Sequence, residues 1–183
     1  ILAKLKKATK QQHDGLESTV DVMNRLFSLD DYKTLLAKFY RFYSVVEPLV
    51  AAQDTAVEGF DFSQRLKTPL LEKDLAALGI LDAVRSGQKW SGAPVIDTPA
   101  KAFGTLYVME GATLGGQVIN RHLKEHLGLT PENGGVFFNG YGQMTGPMWK
   151  AFGASIEAFA ASANADDEIV AAAGIAKGTF YHH

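Results

Sequence analysis

Apolar positions recur at three- and four-residue steps along nearly the whole chain, and sustained alternation of the strand type is hard to find, which predicts an all-α fold. The first segment puts Leu2, Leu5, Thr9, His13, Leu16 and Val20 on one helical face, with its lysines and glutamines mostly elsewhere. A second, aromatic-rich helix is expected from about residue 29 to 52, because Ser28 can cap it and Asp30 and Asp31 fall in its first turn. Leu35, Phe39, Phe42 and Val46 mark its buried face. Thr68-Pro69 opens a further helix and Thr98-Pro99 the longest, since a threonine cap satisfies one orphan amide and proline omits another. Turn formers crowd residues 128 to 142, so the main loop lies there, and Phe137, Phe138 and Tyr141 within it imply a loop that packs onto something apolar. Two closing helices follow, near 147 to 162 and 166 to 181. No internal repeat or interdomain linker interrupts the pattern, and one domain over residues 1–181 is expected.

Composition narrows the function. A chain of 183 residues can bury a core without staples, and a net charge of −2 lacks the basic stripe of a nucleic-acid or membrane-surface binder. The absence of cysteine removes disulfides, thiolate-bound metals and every thiol nucleophile, and fits a reducing, cytoplasmic compartment. No apolar run has the length of a membrane span. His182-His183 reads as the stub of an expression tag.

Three features carry candidate chemistry. His13 sits at the centre of the first helix's apolar face, so its imidazole points to the interior or into a pocket; a hydrogen-bonded core histidine and a metal ligand both satisfy that placement. Within the longest helix, Gly111, Gly115 and Gly116 each cost roughly 0.5–1 kcal/mol against alanine, a loss that makes sense where something approaches the backbone closely. Gly111 and Gly115 are four apart and share a face, which suits a flat ligand or a neighbouring helix. Their spacing is not that of a phosphate loop. Lys6, two turns before His13, and Lys150, beside Trp149 and Phe152, can meet the anionic edge of a ligand, although surface lysines are the common case.

The run Leu5-Lys6-Lys7-Ala8-Thr9-Lys10-Gln11-Gln12-His13-Asp14-Gly15-Leu16-Glu17 resembles the proximal-helix signature of heme oxygenases, and Glu110-Gly111-Ala112-Thr113-Leu114-Gly115-Gly116-Gln117 resembles their distal glycine helix. Phe137-Phe138-Asn139-Gly140-Tyr141-Gly142 and Met148-Trp149-Lys150-Ala151-Phe152 are similar to the bacterial branch often found beside bacteriophytochromes. The resemblance implies heme b, as both cofactor and substrate, between a proximal N-terminal helix and a glycine-kinked distal helix. It makes His13 the axial ligand to the iron, gives Gly111 and Gly115 catalytic roles, and places Lys6, Tyr107, Gly116 and Lys150 among the cofactor-binding residues. It implies oxidative ring opening to biliverdin, carbon monoxide and iron, using O2 and an external electron donor such as a ferredoxin or a reductase. Two positions depart from the animal members. Ala112 replaces an aspartate that organises distal water, leaving Thr113 and Glu110 as candidate anchors, and Ala154 replaces an arginine near a propionate.

Other readings compete. His122-Leu123-Lys124-Glu125-His126 fits a zinc-peptidase pattern, H-x-x-E-H, with two histidines on one helical face, although the known enzymes need a further ligand. A heme store or sensor would keep His13 and the glycine face yet leave heme intact. The thiaminase-like enzymes share the helical fold but use a cysteine, which this chain lacks.

Overall fold

The structure, a computed structural model, describes residues 1–10, 21, 23–25 and 28–181, and all regular structure among them is helical. The helices are α1 (Leu2–Lys10), α2 (Leu29–Ala51), α3 (Thr68–Ala77), α4 (Leu81–Ser86), α5 (Pro99–Leu127), the single turn α6 (Val136–Asn139), α7 (Thr145–Ala163) and α8 (Asp166–Tyr181). A short 3-10 turn, Phe62–Arg65, precedes α3. None of these helices is long and apolar enough to cross a membrane.

Helix α2 starts where its sequence says it should. The Ser28 hydroxyl accepts from the Asp31 amide at 3.1 Å, and the Asp31 carboxylate accepts from the Ser28 amide at 3.1 Å, a reciprocal capping box. Its buried face is wider than the expected stripe. Tyr32, Leu36, Tyr43, Val46 and Val50 are fully covered, whereas Leu35 and Phe39 are half-buried. Tyrosine is ambiguous in a polarity pattern, but Tyr32 buries its hydroxyl together with an acceptor, the Gly134 carbonyl at 2.7 Å. Phe39 has ring centroids of Phe137, Phe138 and Phe180 at 5.2, 5.7 and 5.5 Å, so the loop and the last helix both close on α2. Phe137 and Phe138 are buried, as the apolar content of the loop implies.

Thr98 caps α5, accepting from the Lys101 amide at 3.2 Å. Thr68 does not cap α3. It lies inside the first turn after Lys67, and its hydroxyl is given to the buried Glu47 carboxylate instead. Gly128, at φ 65°, ends α5 in the left-handed conformation that glycine adopts without penalty. Helix α8 packs tightly on α5 at Gly104: a Cβ there would sit 2.8 Å from Ala172 Cβ and 2.9 Å from the Ala173 nitrogen.

The start of α6 depends on one side chain. Asp74, fully buried on α3, accepts from the amides of Val136 at 2.9 Å and Phe137 at 2.8 Å, two donors that a helix start leaves without partners. Asp74→Ala is expected to destabilise the fold by about 2–5 kcal/mol, because each stranded buried donor carries its own desolvation cost. Asp74→Asn, which keeps one acceptor, should lose less. Urea denaturation of both variants checks this, and equal losses would show that the one acceptor kept by asparagine contributes nothing.

Candidate functional site

Positions 104, 107, 111, 114, 115 and 118 of α5 fall on one helical face. Helix α8 closes that face at Gly104, and beyond Tyr107 it opens. Leu114 and Val118 are 42% and 43% exposed, and Gly111 and Gly115 are half-buried. Among the described residues, only the Trp149 indole approaches the missing Gly111 side chain: a Cβ would lie 3.6 and 3.7 Å from two of its ring carbons, ordinary contact distances. Gly116 differs. It is buried, and its absent side chain backs onto the Phe138 carbonyl oxygen at 3.3 Å and ring at 3.8 Å. Gly111 therefore presents main chain on the partly exposed side of α5, and Gly116 packs the 136–139 turn against α5.

The end of α1 is anchored beside this face. Thr9 is buried; its hydroxyl donates to the Leu5 carbonyl at 2.7 Å, and its own carbonyl accepts from the buried Lys177 Nζ of α8 at 3.0 Å. The Tyr107 hydroxyl pairs with the Thr9 side chain, while burial pushes the phenol's pKa up. Thr9 stands four residues before position 13, and Tyr107 four before Gly111, so the Thr9–Tyr107 contact brings α1 to within one turn of the glycine face. His13 itself lies outside the described residues. Tyr107 also packs on Trp149, with ring centroids 5.5 Å apart, and Trp149 stacks on Phe152 at 5.9 Å. The structure thus gathers Tyr107, Gly111, Trp149 and the end of α1. Lys6 and Lys150 are both exposed, near the site in chain position but facing solvent.

Behind the open face, α5 carries a buried carboxylate. Glu110 Oε2 accepts from Arg65 at 2.5 Å, and the Tyr141 hydroxyl donates to Glu110 at 2.8 and 3.0 Å. Lys67 Nζ donates to the Tyr141 hydroxyl at 2.7 Å and lies 3.6 Å from Glu110 Oε1. Burial pushes the Lys67 ammonium down against the opposing pull of Glu110 and Glu47, and burial pushes Glu47 up. Burial and the Glu110 charge push the Tyr141 phenol up. The Thr113 hydroxyl returns to the Glu110 carbonyl at 2.5 Å. Both candidate anchors in place of an acid at Ala112, Glu110 and Thr113, are therefore engaged with protein partners. Arg65 and Lys67 carry no signal in the sequence, where an isolated cation reads as surface.

His122 and His126 face each other with ring centroids 4.3 Å apart. Among the described residues, no group of three histidine, cysteine or acidic side chains is placed to hold a metal ion.

The heme oxygenase family model matches residues 1–182. The chain belongs to the heme oxygenase family. Among solved structures it is similar to the NO- and CO-bound heme oxygenase from Neisseria meningitidis, with 22% identity, coverage of 97% of this chain and 86% of that one, and a TM-score of 0.78. At that identity the likeness speaks for the fold. No curated protein matches the chain. As a member of the family this heme oxygenase is an oxidoreductase for which heme is substrate and cofactor together, and its all-helical architecture is that of the fold.

Proposed function

We propose that this heme oxygenase holds heme between its N-terminal helical segment and the open face of α5, with His13 as the axial ligand. In this reading it opens the ring to biliverdin, carbon monoxide and iron, using O2 and electrons from an external donor such as a ferredoxin or a reductase. The observation that carries the reading is the glycine face itself. Main chain at Gly111, flanked by Leu114 and Val118, offers a flat apolar surface beside α1, and among the described residues no helix fills it. A planar tetrapyrrole fits that surface, and a chain without cysteine leaves imidazole as the natural strong donor to its iron.

Bound heme supplies the iron at which dioxygen is reduced and turned onto the ring. The protein's part is position and exclusion. His13 would hold the iron through its neutral imidazole, and Gly111 and Gly115 would let main chain lie against the ring with no side chain between them. Tyr107 and Trp149 form the wall at one end of the face and keep bulk water from it. Lys6 and Lys150, both exposed, would meet the anionic propionate edge. Working in the cytoplasm, such an enzyme can serve bilin supply of the kind the bacteriophytochrome-associated branch provides.

The test is direct: the purified protein, loaded one to one with ferric heme, is given reductant and oxygen, and the pigment is identified. Green bilin is expected, and intact heme would make the protein a heme carrier. Lys6→Ala and Lys150→Ala are each expected to weaken heme by at most about fivefold, the range of solvent-exposed ion pairs, and to alter the bilin isomer ratio. Unchanged affinity and isomers in both would leave these lysines as plain surface.

A further inference from the structure

Arg65 is buried where three segments meet. Its guanidinium lies 5.3 Å from the Phe60 ring centroid and 5.8 Å from that of Phe152, and one nitrogen, Nη1, makes two bonds. It donates to Glu110 Oε2 at 2.5 Å, on α5, and to the Met148 carbonyl at 3.3 Å, on α7. Glu110 immediately precedes Gly111. Met148 immediately precedes Trp149, the side chain that stands over Gly111. A single guanidinium nitrogen therefore ties the residue before the groove's glycine to the residue before the groove's wall.

The start of α7, tied to α5 where Thr145 accepts from Gln117 Nε2 at 3.2 Å, is open on its other side. A cleft of about 390 Å³, lined by Arg65, Met148 and Ala151 among others, lies along it, and among the described residues Gly146 has no neighbour within 4 Å of where its side chain would be. A buried ion pair contributes little to stability compared with apolar packing of the same volume; what it supplies is a defined geometry. Glu110 is held from its other side by Tyr141 and Lys67, so the carboxylate is a fixed point and Arg65 transmits that point to α7.

We propose that Arg65 and Glu110 are positioning residues that set the gap between Gly111 and Trp149, and that this gap decides which edge of the tetrapyrrole the glycine face admits. The second half rests on the proposed heme site; the first half does not. Displacement of a site wall by an ångström is enough to redirect chemistry, so the pair governs regiochemistry without touching substrate.

Both halves can be read separately. The chain has two tryptophans, and in a Trp90→Phe background Trp149 is the sole indole. In heme-free protein, Arg65→Met and Glu110→Gln are expected to shift Trp149 emission to the red and raise its quenching by acrylamide, with circular dichroism confirming the helices. Arg65→Lys, which keeps the charge, should restore part of both signals. In heme-loaded protein the same variants should change the ratio of bilin isomers, with Arg65→Lys again intermediate. Unchanged emission and quenching in a folded Arg65→Met overturn the proposal, as does an altered isomer ratio without any change at Trp149. Should Arg65→Met fail to fold, Arg65→Lys and Glu110→Gln decide by the same readings. A wild-type protein that makes no bilin refutes the functional reading alone, because the fluorescence of the heme-free variants still tests the positioning of Trp149.

Discussion

His13→Ala is expected to abolish native ligation of heme iron and to cut ring opening by more than about a hundredfold, since loss of an outer-shell partner alone costs 10–100-fold at metal sites. In the sequence, position 13 continues the three- and four-residue spacing of Leu2, Leu5 and Thr9, and the last of these is pinned to Tyr107, one turn before the glycine face. That spacing, four residues after the Thr9–Tyr107 contact, makes His13 the first candidate for a ligand held at Gly111. In the alanine variant the ferrous–CO spectrum should lose the signature of a histidine-ligated iron, and added imidazole should restore it. The competing ligands are His122 and His126. His122 lies roughly 10 Å along the helix axis beyond Gly115, at 1.5 Å per residue, too far to reach iron held at Gly111. An unchanged spectrum in His13→Ala, together with a changed one in His122→Ala, would move the iron to the far end of α5.

What could be read in the sequence, and what could not, divides along the range of the interactions. Ser28 and Thr98 were legible as caps because a cap is a local bond between neighbours three residues apart. Thr68-Pro69 carries the same local pattern, yet the Thr68 hydroxyl goes to Glu47, 21 residues away, and no local rule reports that partner. Glu110 shows the same limit at the site. In sequence it is a charged residue before a glycine. In the fold it closes a cluster with Arg65 and Tyr141, 45 and 31 residues distant, and its carboxylate faces away from the face it adjoins. The glycines show it again. By resemblance Gly116 joins Gly111 and Gly115 at the cofactor, but in the fold it packs on Phe138. Gly104 carries no signal in the sequence, where it is a lone glycine between Phe103 and Thr105, although its contact with α8 is tighter than any at Gly111.

That contrast predicts opposite outcomes for one substitution made seven residues apart on the same face. Alanine for glycine in a helix interior gains about 0.5–1 kcal/mol. At Gly111 the added methyl meets only Trp149 at 3.6 Å among the described residues, so Gly111→Ala is expected to stabilise heme-free protein by about that amount while slowing ring opening. Gly111→Leu, whose side chain extends over the open face, should fold and fail to hold heme. At Gly104 the methyl would lie against Ala172 Cβ at 2.8 Å, the Ala173 nitrogen at 2.9 Å and the Ile169 carbonyl oxygen. Two of these three are backbone, so α8 itself must move, and overpacking of about 1–3 kcal/mol outweighs the helical gain. Gly104→Ala should therefore lower stability in urea where Gly111→Ala raises it. If both lower it equally, the face at Gly111 is as closed as the one at Gly104, and the chain keeps its fold without room there for a tetrapyrrole.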